Sequence, residues 1–174
     1  RKRVFSKDNI FFYISGNFQD EDVLKLKSRP GCAMTVPTVE AKESKAFSAI
    51  GLFNPRVALA IDDEIVTNDF EFDDNARIYV LTGPNRGGKS VITVAVGAAQ
   101  AICQLGLPVP AREARISPVD AIFTHFPEGA DDTIDKGRLG EECARLKEIF
   151  DSVSTDSMIL LDESLSSTGA YEAS

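Results

Sequence analysis

Residues Thr82–Ser90 read TGPNRGGKS, and the interpretation of this stretch decides the fold. Gly83, then Pro84, Asn85, Arg86 and Gly87, then Gly88-Lys89-Ser90 fit the phosphate-loop spacing of glycine, four residues, Gly-Lys-Ser. At average composition a chain of this length matches that pattern by chance on the order of once in 200. The apolar run ARIYVLTG before the loop reads as a strand, and KSVITVAVGAAQAICQL after it reads as a helix. Phosphate binding requires this order. Glycines let successive N–H groups converge on one anion, and the helix N-terminus adds its positive end. In that role Lys89 reaches the β- and γ-phosphates and the Ser90 hydroxyl binds Mg²⁺. The alternative is a plain glycine turn carrying a surface lysine.

A second element agrees with the first. Met158-Ile159-Leu160-Leu161-Asp162-Glu163 has the form of a buried strand ending in two carboxylates. Asp162 is expected to hold Mg²⁺ through water, and Glu163 to orient and deprotonate the attacking water. Capping of a following helix is the other use of such a pair. Beside a phosphate loop, the reading is ATP hydrolysis with Glu163 and Lys89 as the catalytic residues.

The bulk properties set bounds. The chain has 174 residues, 43% of them apolar and 26% charged, as in an ordinary soluble globular protein. No apolar run approaches the ~20 residues that span a bilayer, so no membrane role is expected. Arg1-Lys2-Arg3 begins like a signal peptide, but Asp8 and Asn9 interrupt it and no small-residue cleavage site comes after. Cys32, Cys103 and Cys143 are widely spaced, with no zinc or disulfide pattern, which suggests a reducing, cytoplasmic compartment. The single histidine, His125, rules out a two-histidine metal site within the chain. The net charge of −8 argues against this segment being a main nucleic-acid grip, leaving any DNA contact to other parts of a larger protein. The chain starts without methionine and ends at STGAYEAS, and is read as a fragment.

Along the chain, residues 1–50 read as a connector or the end of a preceding region, and residues 51–174 as the domain carrying the loop. NIFFYIS reads as a short strand or a helix start. DEDVLKLKS has helical polarity, stopped by Arg29-Pro30-Gly31, and VPTVEAKESKAF looks like connector. RVALAI is a strand candidate. IDDEIVTNDFEFDDN carries seven acids and no base. A cation site is one reading, but the acids lack calcium-loop spacing. Phe70 and Phe72 alternating with acids read better as a half-buried strand, with the turn at Asp73-Asp74-Asn75. The helix after the loop is apolar all round and is expected to be buried on more than one side, ending at Gly106 and Pro108. DAIFTHF is another strand. LGEECARLKEIFDSV places Leu139, Cys143, Leu146, Phe150 and Val153 at helical spacing. Strands alternating with helices predict an α/β fold with a largely parallel sheet.

TGPNRGGKS closely resembles the phosphate loop of the MutS family, the mismatch-repair ATPases. VPAREARISPVDAIFTHFPEGADD is similar to the family's run from its VPA segment to its GADD segment, and LLDESLSSTGAYEA to its carboxylate strand and the segment after that strand. GLFNP and IVTNDFEF resemble the approach to the loop. The resemblance covers roughly residues 50–174. It implies a P-loop NTPase of the ABC-ATPase type, truncated at its C-terminus, with a largely parallel sheet flanked by helices. It also implies ATP and Mg²⁺ as cofactors and head-to-tail homodimers controlling a DNA clamp in mismatch repair or a related recombination process. EIVTND matches the family's adenine-side wall, which puts Ile65 and Val66 against the base.

Departures from the family pattern point to a divergent branch. The signature Gly-Arg followed by Ser-Thr is here Gly137-Arg138 followed by Leu139-Gly140-Glu141-Glu142, with no hydroxyl to reach a γ-phosphate in trans. The segment Leu165 to Ala170 replaces a GRGTST run, leaving Ser167 to face a partner. His125 stands where relatives often have arginine, and a structural role is favoured for it. The competing functional readings are a nucleotide-gated dimerisation module with little turnover and another ABC-type ATPase, the latter disfavoured by the absence of an LSGGQ-like segment.

Overall fold

The computed structural model describes residues 4–5, 11–12, 25–26, 28–73, 75–84, 86–126 and 136–162. By internal packing the chain divides into two units, residues 1–120 and 121–174. Both combine strands with helices, so the architecture is mixed α/β.

In the first unit, β1 (Val4–Phe5) pairs antiparallel with β2 (Phe11–Phe12), within the stretch that reads as strand or helix start. Lys25, Leu26 and Ser28 are helical, and a bend and turn come at residues 29–31, as Arg29-Pro30-Gly31 predicts. A four-stranded sheet then forms in the order β3 (Thr38–Val39), β6 (Glu113–Ile116), β4 (Phe47–Leu52), β5 (Asn68–Phe72). Only β3 and β6 are parallel in it, while β6–β4 and β4–β5 are antiparallel. The expected largely parallel sheet is therefore mixed in this unit. The stretch read as connector supplies β3 and a 3-10 turn at Lys42–Ser44.

β5 forms as the alternation of Phe70 and Phe72 predicts. Phe72 stacks on the buried Phe47 at 5.1 Å between ring centroids, and Phe70 meets it edge-on at 6.3 Å. The register slips between Ala49 and Leu52, where Gly51 adopts φ 68° and its N–H donates to Asp69 Oδ1 at 2.8 Å. A glycine fits this bulge because an L side chain is strained at that φ.

RVALAI is not a strand. Pro55–Ala60 forms helix α1, with Asn54 as its N-cap and Pro55 at the first helical position. Asn-Pro is a helix-start signal, and Pro blocks the ladder hydrogen bond a strand would need.

Helix α2 (Lys89–Gln104) succeeds the glycine loop as predicted, and Gly106 at φ 73° ends it. It is buried along one stripe, Ala95, Val96, Ala99, Gln100 and Cys103, while Val91 and Val94 are exposed. Burial on several sides is thus corrected to burial on one. The buried Gln100 donates from Nε2 to Ser117 O at 2.9 Å, and Ser117 Oγ donates to Ala41 O at 2.8 Å, tying the helix to the end of β6.

The run before the loop departs most from expectation. Residues 77–84 are not assigned to a strand, and Ile78, Tyr79, Val80 and Leu81 are exposed. An apolar run expresses strand propensity, but a strand needs a neighbour, and among the described residues none pairs with this one. Tyr79 instead rests on Phe70 at 4.9 Å and on Phe72 at 6.3 Å.

In the second unit, β7 (Ile122–His125) pairs parallel with β8 (Met158–Leu161) in unbroken register, joined through helix α3 (Lys136–Ser152). This is the parallel arrangement that the sequence predicts for these two strands. β8 is only partly buried: Met158 is covered, whereas Leu161 keeps 42% of its surface. Among the described side chains of α3 and its end, Ile149 is buried and Leu146 and Val153 are half-buried, whereas Cys143 and Phe150 are exposed, so the predicted stripe holds in part, with Ile149 in place of Phe150.

Candidate functional site

The glycine loop takes backbone geometry that glycine allows at Gly83 and Gly88, and that an L side chain rarely adopts at Arg86. Arg86 and Gly88 adopt φ 65° and 84°, in the left-handed region, and Gly83 adopts φ 151°. Gly87 N–H donates to Pro84 O at 3.1 Å, closing a tight turn. A Cβ added at Gly87 would lie 2.9 Å from that same carbonyl oxygen, so only glycine fits without backbone movement. Gly88 then serves as the N-cap of α2.

Lys89, the first residue of the helix, folds back over the loop. Its Nζ donates to Gly83 O at 3.0 Å and to Pro84 O at 2.9 Å. An ammonium carries three donors, so one remains for a ligand. Ser90 is exposed in the first turn of α2, where N–H groups have no intrahelical acceptor. Asn85 lies outside the described residues.

Two features that sequence reasoning missed position this loop and its surroundings. The first is Asn54, buried with 6% of its surface exposed. Its Oδ1 accepts from the N–H groups of Arg56 and Val57, and its Nδ2 donates to Val91 O at 3.1 Å, joining α1 to the first turn of α2. The Asn-Pro pair signals the cap; nothing in the sequence signals the bond to Val91. The second is Arg29, whose guanidinium donates to the carbonyls of Ala58, Ile61 and Asp63. Such long-range contacts leave no trace in local pattern.

The two wall residues face different surroundings. Ile65 is 7% exposed and packs with Leu26, Cys32, Phe53 and Ala58, whereas Val66 is 80% exposed. Of the carboxylate pair, Asp162 is half-buried at the end of β8, and its N–H donates to His125 O at 3.0 Å. Glu163 and Ser167 lie outside the described residues. Gly137 to Glu142 lie within α3. His125 is buried on β7. Among the described residues no cluster of three His, Cys, Asp or Glu side chains is placed to hold a metal ion, and no helix is long and apolar enough to cross a membrane.

Residues 79–173 match the family described as MutS domain V. The chain belongs to the MutS family. It is 30% identical over 138 residues to the DNA mismatch repair protein MutS of Prochlorococcus marinus (strain MIT 9312), covering 79% of this chain and 15% of that protein. It is 40% identical over 109 residues to the DNA mismatch repair protein Msh3 of Mus musculus, covering 62% of this chain and 10% of that protein. The Msh3 of Homo sapiens is 39% identical over 110 residues, with the same coverage of 62% and 10%. The chain thus spans a small part of the length of these relatives.

Proposed function

We propose that this MutS-family segment binds ATP with Mg²⁺ and hydrolyses it to control a dimeric DNA clamp, in mismatch repair or a related recombination process. The observation that carries the reading is Lys89 bridging the Gly83 and Pro84 carbonyls over a turn too tight for any residue but Gly87. That arrangement holds one cationic donor beside the N–H groups of a helix start, a setting suited to a polyphosphate. Residues 51–174 form the ATPase region in this reading, of the P-loop, ABC type. Gly83 to Ser90 hold the phosphates, and Ile65 and Val66 form the adenine-side wall. Ser90 and Asp162 would hold Mg²⁺, Asp162 through water. When bound, Mg²⁺ neutralises charge on the phosphates. Glu163 is the base that activates water. The names of the relatives support the DNA-repair context, and DNA contacts and the dimer partner belong to the protein as a whole.

The test is ATP turnover by the full-length protein with no DNA, matched duplex, mismatched duplex and branched DNA. Stimulation by mismatches favours repair, and stimulation by branched DNA alone favours recombination. Glu163→Gln is expected to bind ATP and scarcely hydrolyse it; unchanged turnover sinks the assignment of the base.

A second reading is a nucleotide-gated dimerisation module with little turnover. Leu139-Gly140-Glu141-Glu142 favours it, because no hydroxyl is available there to reach a γ-phosphate across a dimer. ATP-dependent dimers in sedimentation, with negligible turnover in the same sample, would establish it over the first.

A further inference from the structure

We propose that Arg29 is a positioning residue for the nucleoside end of the site, acting through the turn that carries Ile65 and Val66. The proposal rests on the proposed reading of Thr82–Ser90 as a nucleotide-phosphate loop and of Ile65 and Val66 as its adenine-side wall.

Three observations converge on it. First, Arg29 Nη1 donates to Ala58 O and Ile61 O, and Nη2 donates to Asp63 O. Ala58 lies in the last turn of α1 and Ile61 is its C-cap. Carbonyls at a helix end lack intrahelical partners, and a cation there also meets the negative end of the helix dipole. A planar guanidinium spreads its donors over a fixed fork, and here Nη1 and Nη2 reach three separate carbonyls, whereas an ammonium gathers its three donors at one point.

Second, the segment around Arg29 also grips the far side of the same turn. Leu26 and Cys32 pack against Ile65 in one buried cluster with Phe53 and Ala58. Gly31, at φ 82°, passes close to the Ile65 carbonyl, which lies 3.9 Å from where a Cβ would stand. The chain from Ile61 to Ile65 is therefore fixed at both ends by Leu26, Arg29, Gly31 and Cys32, and the next residue, Val66, projects into solvent.

Third, the other end of α1 is tied to the phosphate helix. Asn54 caps α1 and donates to Val91 O in the first turn of α2 at 3.1 Å. Six residues at 1.5 Å each make α1 a strut about 9 Å long. One end of the strut meets the helix that starts at Lys89. The other end, fastened by Arg29, sets where Val66 stands. The spacing between the phosphate and base subsites is thus built into α1 and its two anchors. Leu26, Arg29, Gly31 and Cys32, which belong to no nucleotide motif, act as the brace.

The experiment measures binding of ATP and of inorganic tripolyphosphate to the full chain, by calorimetry with Mg²⁺ present. Wild type is compared with Arg29→Lys, Arg29→Gln, Val66→Gly and the Arg29→Lys/Val66→Gly double variant. Arg29→Lys keeps the charge and loses the fork, and thermal melts establish that it remains folded should Arg29→Gln not fold. The expected result is that wild type prefers ATP to tripolyphosphate. Arg29→Lys then weakens ATP roughly tenfold, about the worth of one charged hydrogen bond, with tripolyphosphate affinity unchanged. The double variant loses no more than Val66→Gly alone, because Arg29 acts through that residue's position. Equal weakening of both ligands, or additive losses in the double variant, overturns the proposal. If wild type binds tripolyphosphate and ATP equally, the base-side wall is absent and the proposal falls while the phosphate loop stands. If wild type binds neither, the phosphate-loop reading fails first.

Discussion

Asn54 holds two helices with one side chain. Its Oδ1 accepts from Arg56 N–H at 3.0 Å and Val57 N–H at 3.2 Å, and its Nδ2 donates to Val91 O at 3.1 Å. The first pair caps α1, and the third bond secures the helix that begins at Lys89. Asn54→Ala removes all three and is expected to destabilise the protein by about 1–3 kcal/mol. Asn54→Asp keeps the cap and loses the donor, placing a carboxylate against a carbonyl. It should therefore fall below wild type in urea midpoint and weaken ATP binding. An Asp variant equal to wild type in both measurements would remove Asn54 from the positioning of the loop.

Two glycines are expected to respond in opposite ways. A Cβ at Gly87 would stand 2.9 Å from Pro84 O, so Gly87→Ala must open the turn that gathers the loop. Loss of ATP binding in equilibrium dialysis is the expected outcome. In contrast, a Cβ at Gly140 on the exposed side of α3 would meet nothing within 4 Å. Gly140→Ala should raise stability by roughly 0.5–1 kcal/mol, through the smaller loss of backbone entropy. Chemical denaturation reads it, and a destabilised variant would mean that this part of α3 packs against something.

Asp73 gives a pH-dependent signature of the turn before the loop. Its Oδ1 accepts from Asn75 N–H at 2.8 Å and Ala76 N–H at 3.1 Å, and the Asn75 amide reaches its Oδ2 at 3.2 Å. These bonds, led by the Asn75 N–H, favour the ionised form and hold the carboxyl below its usual range. A lowered folded pKa means that the stabilisation is fully present above the unfolded value, about 3.9, and is lost as pH falls through the folded value. The difference in unfolding midpoint between wild type and Asp73→Ala should therefore be constant above about pH 4 and narrow below it. A difference that persists at the lowest pH would show that the carboxylate's charge is not what holds the turn.

Legibility in the sequence divides by range. The loop glycines, α2, β5, the β7–β8 pair and the Asp73 turn are local patterns of spacing and composition, and each forms where its residues indicate. The segment that becomes α1 reads as a strand only while the apolar run RVALAI outweighs the Asn-Pro signal beside it. The run at residues 77–84 has extended propensity but no paired neighbour among the described residues, because pairing is a property of the partner as much as of the strand. Phe150 and Ile149 are adjacent and both apolar, and periodicity alone does not decide which of them joins Leu146 and Val153 on the covered side. Arg29 and the Asn54–Val91 bond are invisible for a different reason. They join residues 29 to 37 positions apart, and no local pattern encodes the meeting.

Lys89 decides between a phosphate loop and a plain glycine turn. Its ammonium bonds to Gly83 O and Pro84 O, two carbonyls of exposed residues that water can satisfy if the side chain is removed. The stability cost of Lys89→Ala is therefore expected to be small, at most about 1 kcal/mol, as for other exposed charged contacts. If the remaining donor meets a phosphate, its loss costs roughly 1.5–3 kcal/mol of binding, a ~10- to 150-fold weakening of ATP affinity. Arginine at the same position keeps the charge but carries a planar fork too broad to bond both carbonyls as a compact ammonium does. Lys89→Arg should thus bind ATP more weakly than wild type while melting close to it. A plain turn predicts the reverse pattern: a change in melting temperature with no dependence of ATP binding on the residue at position 89. Measuring both quantities on the same two variants separates these outcomes.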